Sequence, residues 1–155
     1  MRIDVIIPAY NAHDTIFRTL CSIGQQTLRE DLDVTIVNDC SEMDYSEFVK
    51  SFSPYFSIKE ICLAENSGPG RARQAGMDST KNPLITFIDA DDTFSSAFSL
   101  ELLRAELLKD HIFKVCAGGF LEEHEDFRFV MHRNDFVWVF GKLYRRYFLE
   151  KYNIR

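Results

Sequence analysis

The stretch "NPLITFIDADDTF", residues 82–94, decides how this chain is read. Leu84 to Ile88 is a short apolar run, with the length and composition of a buried strand. It stops abruptly in Asp89, Asp91 and Asp92, with only Ala90 among them. Three carboxylates at a buried strand end are costly without a positive partner, so the stretch implies a cation. In extended chain, residues two apart share a side, and Asp89 and Asp91 can then converge. Oxygen ligation by few carboxylates, completed by water and phosphate, suits Mn²⁺ or Mg²⁺. The plainer alternative is that Asp91 or Asp92, or the later Ser95 or Ser96, merely caps the helix that follows.

The same pattern runs outward from that strand. Ile3 to Pro8, Val34 to Val37 and Ser57 to Leu63 read as further strands. Apolar residues at helical spacing lie between Ala12 and Gln26 (Ile16, Leu20, Ile23) and from Ala97 to Asp110 (Leu100, Leu103, Leu107). Asp44 to Phe52 reads as a helix closed by Pro54, and "NSGPGRARQAGMDST" as a turn opening another. This alternation predicts an α/β fold with a mostly parallel central sheet flanked by helices. The second half is less regular. Phe113 to Leu121 and Phe127 to Met131 read as strands. Leu143 to Tyr152 reads as an amphipathic helix, with Lys142, Arg145 and Arg146 on a basic face. Trp138 reads as a core residue, or with His132 as part of an acceptor site.

Four strands end in polar clusters. In "VIIPAYN", Pro8 ends the ladder and Ala9 leads to Tyr10, which can lie flat against a base; a simple turn capped by Asn11 is the alternative. In "TIVNDCS", Asp39 can accept hydrogen bonds from a base N–H, or serve only as a turn residue. "NSGPGRARQAG" opens a helix whose N-terminus favours an anion, with Arg71 or Arg73 adding charge. It is not a dinucleotide fingerprint, because Arg73 stands where the third glycine belongs and the segment follows the third strand. Together the clusters lie at one sheet edge, where open α/β sheets bind ligands. They describe a single crevice for a nucleoside diphosphate.

Composition narrows the classes further. The chain has 155 residues, 46% of them hydrophobic and 14 of them Phe, which suits one domain with a real core. A net charge of −6 argues against nonspecific nucleic-acid binding. No apolar run reaches the roughly 20 residues of a membrane span. The N-terminus enters a strand at once, unlike a signal peptide. Cys21, Cys40, Cys62 and Cys116 lack zinc-site spacing and read as buried thiols of a reducing cytosol. "DADDT" also fits the DxDxT nucleophile motif of haloacid-dehalogenase-like phosphatases, with Asp89 attacking phosphorus and Asp91 as acid/base. That fold needs a later lysine and acidic pair, which Asp110, Asp126 and Asp135 do not supply, and here most of the sheet precedes Asp89. It stands as a remote alternative.

"VIIPAYNAHDTIFRTLCSIGQQT", "TIVNDCSEMD", "NSGPGRARQAGM" and "LITFIDADD" occur in the order and spacing of family-two glycosyltransferases, and the chain resembles bacterial members with the Rossmann-like GT-A fold. The tail "FVWVFGKLYRRYFLEKYNIR" is similar to their W-x-K-L-Y-R-R segment. The resemblance implies an inverting, metal-dependent hexosyl- or N-acetylhexosaminyltransferase of polysaccharide biosynthesis. It would move a sugar from a nucleoside-diphosphate sugar, usually UDP-linked, to a glycan or lipid-linked acceptor. Pro8, Ala9, Tyr10 and Asp39 would then hold the base, Arg73 the nucleotide and Asp89 the ribose. Gln74 stands where the family has asparagine. Asp91 would bind Mn²⁺ or Mg²⁺ across the two phosphates, with Asp92 in support. The family's general base is an aspartate in a later motif, expected beyond Arg155. Residues 1–155 are thus expected to be one domain, with a nucleotide-binding half (1–93) and an incomplete acceptor-side half (94–155), truncated at its C-terminus. The alternative is a nucleotide-sugar-binding fragment without turnover. Glu122, Glu123, Glu125, Asp126 and Asp135 read as surface acids. The expected setting is the cytoplasm, or the inner face of the membrane as a peripheral protein.

Overall fold

Ile3, Val5, Ile6 and Ile7 are all fully buried, because strand β1 (Ile3–Ala9) runs through the middle of a sheet covered on both faces. The computed structural model describes residues 1–126, 128–133 and 137–154. Strand β1 pairs in parallel with β2 (Leu32–Asn38) and β4 (Leu84–Phe87), and β2 in parallel with β3 (Ser57–Cys62). Beyond β4, β8 (Lys142–Arg145) runs antiparallel, and β5 (Val115–Ala117) pairs antiparallel with β8. The order is β3-β2-β1-β4-β8-β5. The α/β fold expected from the sequence, with a mostly parallel central sheet flanked by helices, is the fold the chain has.

Helices α1 (Ile16–Gly24), α2 (Ser46–Phe52) and α4 (Ser99–Leu108) put Ile16, Leu20, Phe52, Leu100 and Leu107 into the core on one face. Helices α3 (Gly68–Asp78) and α5 (Arg146–Lys151) cover the other, where Ala72, Met77 and Leu149 meet Ile6, Val37, Ile85 and Phe87. The close approach of α3 depends on Gly76, where an added Cβ would lie 2.4 Å from Ile6 Cγ2.

Away from the sheet's C-terminal edge, the structure departs from the sequence reading in three places. Leu143 to Tyr152 is not one helix: Lys142–Arg145 is strand β8, and α5 begins at Arg146. Two strand partners, β4 and β5, override the helical spacing there. Lys142, Arg145 and Arg146 are consequently buried and form no basic face. Arg145 donates to the carbonyls of Leu107 at 2.9 Å and Phe113 at 2.8 Å, closing the end of α4. Arg146 donates to Asp4 at 2.7 Å, and also to the carbonyls of Asn82 and Met77.

Phe113 to Leu121 is likewise not one strand. It splits into β5 and β6 (Phe120–Glu123), and β6 pairs with β7 (Phe129–His132) in a separate two-stranded sheet. Gly118 and Gly119 permit the change of sheet, since a Cβ on Gly119 would lie 2.7 Å from the His132 carbonyl oxygen. Third, of the four cysteines, which are free thiols, Cys40 and Cys62 are exposed rather than buried. No helix among the described residues is long and apolar enough to cross a membrane.

Candidate functional site

The crevice opens where β1 and β4 part. Their pairing ends at Ile6–Phe87, with one further bond from Ile88 N–H to the Ile6 carbonyl at 3.2 Å. Backbone groups alternate sides along a strand, so a residue at position 8 would aim its N–H toward β4. Proline has no N–H, and the ladder has already stopped on that side. Pro8 therefore does not end β1, as the sequence implied; β1 continues beside β2, and the Ala9 carbonyl accepts from Asp39 N–H at 2.8 Å.

The resulting crevice has a volume of about 690 Å³. Pro8, Ala9, Tyr10, Asp39, Arg73, Asp89 and Asp91 all line it, so the four strand-end clusters do meet. Of the residues that the family resemblance assigns to nucleotide and metal, Asp92 alone does not line it.

Asp39 is only 3% exposed. One carboxylate oxygen accepts from Ser67 N–H at 2.8 Å and the other from Gly68 N–H at 2.7 Å. Asp39 thus supplies the anion that the α3 N-terminus favours. The turn demands unusual backbone: Gly68 has φ +83°, and Cys40, with φ 63°, takes the left-handed conformation despite its side chain. Asn11 has φ 48° and ties the loop after β1 to the loop after β2. Its N–H donates to Ser41 Oγ at 3.0 Å, and its side-chain oxygen accepts from Glu42 N–H at 3.0 Å. Buried Tyr45 completes the tie through its hydroxyl, which accepts from Ala12 N–H at 2.9 Å.

Arg73 forms an ion pair with Asp89 across the crevice floor, and its buried Nε has no hydrogen-bond partner among the described residues. Arg71 is exposed and does not line the crevice. The two-apart difference in direction on helix α3 separates these arginines.

The acidic stretch is a turn rather than extended chain, closed by Asp92 N–H to the Asp89 carbonyl at 3.1 Å. Asp91 is exposed toward the crevice. Asp92 is half-buried, and burial, then the charges of Asp91 and Asp89, push its carboxyl pKa up to about 6. No group of three or more His, Cys, Asp or Glu side chains among the described residues forms a ready-made metal cage. The donor set instead fits a hard cation held by one or two carboxylates and completed by substrate phosphate.

A polar stripe missed in the sequence fixes this turn. Thr19, Ser22 and Gln26 lie along one side of α1 and just past its end, and all are buried. Thr19 Oγ donates to the Ala90 carbonyl at 3.0 Å, Ser22 Oγ accepts from Phe94 N–H at 3.1 Å, and Gln26 Oε1 accepts from Leu100 N–H at 3.1 Å. The three-and-four spacing of these polar residues beside Ile16, Leu20 and Ile23 was the available signal.

The far wall is the segment 137–140. Trp138 is not in the core; it is 55% exposed there. His132 sits on β7, bonded to Glu122 at 2.9 Å, outside the crevice. Glu122, Glu123, Glu125 and Asp126 are exposed and line no part of the crevice, and Asp135 lies outside the described residues.

A crevice at the C-terminal edge of a mostly parallel sheet is where open α/β folds bind their ligands. The chain belongs to glycosyl transferase family 2, which it matches over residues 4–155. It is 29% identical to the poly(ribitol-phosphate) beta-N-acetylglucosaminyltransferase TarS of Staphylococcus aureus, over 80% of this chain and 19% of TarS. It is 25% identical to the uncharacterized glycosyltransferase EpsJ of Bacillus subtilis, over 98% of this chain and 50% of EpsJ. Among solved structures, S. aureus TarS 1–349 in complex with UDP-GlcNAc superposes with a TM-score of 0.82 at 23% identity, over 99% of this chain and 48% of that one. The mannosyltransferase PcManGT of Pyrobaculum calidifontis, in complex with GDP-Man and Mn²⁺, gives 0.76 at 18% identity, over 97% and 46%. The chain thus spans about a fifth of TarS and half of EpsJ. Family membership sets the dehalogenase-like alternative aside.

Proposed function

We propose that the chain carries the donor half of an inverting, metal-dependent glycosyltransferase. The sugar comes from a nucleoside diphosphate, with uracil the favoured base, and goes to a glycan or lipid-linked acceptor of a surface polysaccharide. The observation that carries this reading is the convergence of Tyr10, Asp39, Arg73, Asp89 and Asp91 on one crevice. Tyr10, largely exposed on the wall formed with Pro8 and Ala9, offers a face for the base. Asp39 is held by two backbone N–H groups and keeps lone pairs for the base N–H. Asp89, oriented by Arg73, faces the ribose, and Arg73 adds positive charge near the phosphates.

Mn²⁺ or Mg²⁺ would be held by Asp91, with Asp92 behind it. It would neutralise charge on the departing diphosphate. The binding of GDP-Man and Mn²⁺ by PcManGT and of UDP-GlcNAc by TarS supports both the donor class and the cation. Residues 1–93 serve the nucleotide, and residues 94–155 contribute the 137–140 wall and the acceptor side. The cytoplasm, where free thiols persist, suits this chemistry.

A second reading is nucleotide-sugar binding without turnover by residues 1–155 alone. It rests on the acids lining the crevice: among the described residues these are Asp39, Asp89 and Asp91, all on the nucleotide side. None is left to take the acceptor's proton. A thermal-shift panel of nucleotides and nucleotide sugars with Mn²⁺, followed by an assay of UDP release with acceptors, tests both. Stabilisation by UDP-linked donors is expected; stabilisation by none of the panel would refute the donor assignment. Release of UDP at a rate matching a longer chain would refute the second reading.

A further inference from the structure

We propose that Trp138 is the platform on which the donor's sugar ring lies, held in place from strand β8. The proposal rests on the donor reading above and adds the position and chemistry of the sugar.

The order of elements along the sheet edge gives the position. Asp39 follows β2, Tyr10 follows β1, and Asp89 and Asp91 follow β4. Because β8 is antiparallel, its start lies at the same edge, and segment 137–140 leads into it. Neighbouring strands lie about 4.8 Å apart, so three intervals from β2 to β8 span roughly 14 Å. A nucleotide sugar with its base at Asp39 and Tyr10 and its diphosphate at Asp91 carries its sugar to the segment at β8.

The wall there is built rather than loose. Trp138 is the chain's single tryptophan and is 55% exposed, an unusual setting for so large an apolar surface. Its indole stacks on Phe140 with centroids 5.8 Å apart, and Phe140 meets the edge of Phe120 at 5.1 Å. Phe120 in turn stacks on His132 at 4.5 Å. From below, Lys142 Nζ donates to the Trp138 carbonyl and Tyr144 OH donates to the Val139 carbonyl at 3.2 Å. Lys142 and Tyr144 are two apart on β8 and share a side. An exposed aromatic face with a fixed backbone and a stacked backing is preorganised for a partner. The apolar C–H face of a pyranose is the chemistry that fits an indole at the sugar end of this crevice.

The single tryptophan makes the test direct. UDP and a panel of UDP-glucose, UDP-galactose, UDP-N-acetylglucosamine and UDP-N-acetylgalactosamine are titrated with Mn²⁺, reading heat and tryptophan emission together. At least one UDP-sugar is expected to bind more tightly than UDP and to shift the emission, while UDP alone leaves it near the free value. Trp138→Ala should remove about three- to tenfold of the sugar's advantage over UDP, and Trp138→Tyr should restore part of it. Tyr144→Phe, a change at a positioning residue, should reduce the advantage in the same sense. Heat from UDP in each variant reports that it is folded. The proposal is overturned if no UDP-sugar exceeds UDP, if Trp138→Ala weakens UDP and UDP-sugar equally, or if emission responds only to an added acceptor glycan. Absence of heat from UDP itself would overturn the donor reading, and this proposal with it.

Discussion

At the N-terminal edge of the sheet, Asp4 is 2% exposed and fully partnered: it pairs with Arg146 at 2.7 Å and accepts two hydrogen bonds from Asn82. Asp33 beside it is paired with Arg2, whose hydrogen bond chiefly pulls the Asp33 carboxyl down to about 2. At the C-terminal edge the sign reverses. Asp91 and Asp92 form no ion pair among the described residues, and burial together with their mutual charge pushes Asp92 up to about 6. The difference separates fold from site. The chain supplies the counter-charge of Asp4 and Asp33, which are structural; Asp91 and Asp92 have none among the described residues, and the cation proposed above would supply it.

The largest effect expected from this contrast is at Arg146. Arg146→Ala leaves Asp4 buried and unpaired, and should cost about 3–5 kcal/mol of folding stability in urea denaturation. A loss under about 1 kcal/mol would mean that the N-terminal edge is not the paired structural site described here.

Opposite signs are expected from one substitution at the two edges. Asp4→Asn should lower the thermal midpoint of the metal-free chain, because a charged partner of Arg146 is lost. Asp92→Asn should raise it, because a carboxylate disfavoured by burial and by Asp91 and Asp89 is removed. Equal signs in a calorimetric scan would erase the distinction between the edges.

Within the crevice, Arg73→Ala should weaken UDP about tenfold or more, the worth of a charge-assisted contact, while Arg71→Ala should change it little. A larger loss for Arg71 would show that the wrong face of α3 has been assigned to the nucleotide.

The smallest effect is at the exposed Arg2–Asp33 pair. Its carboxyl is lowered on folding, so its contribution is fully present above the unfolded value near 4 and is lost as pH falls from there toward about 2. Arg2→Gln should flatten that part of the acid-unfolding curve while leaving stability at higher pH only slightly reduced.

Much of the first half was legible because its signals are local. Ile3 to Ile7, Val34 to Val37 and Leu84 to Ile88 are short apolar runs that each stop in Pro, Asn or Asp, and such runs cannot continue as helices. Their convergence followed from parallel topology alone. The second half was not legible because its signals are tertiary. Nothing local in "KLYRRYFLEK" reveals that Lys142–Arg145 pairs on both sides, which turns the first part of an amphipathic helix pattern into a strand with Lys142 and Arg145 buried. Trp138 looked like core because large apolar side chains usually are. The expected convergence of Asp89 and Asp91 assumed extended chain, which the Asp89–Asp92 turn replaces.

The most direct test of the central claim is calorimetric titration of UDP into the wild-type chain and Asp91→Ala, each with Mn²⁺ and with chelator. Wild type should bind UDP tightly only with the metal, and Asp91→Ala should bind it weakly and equally in both conditions. Equal wild-type affinity with Mn²⁺ and with chelator would contradict the account.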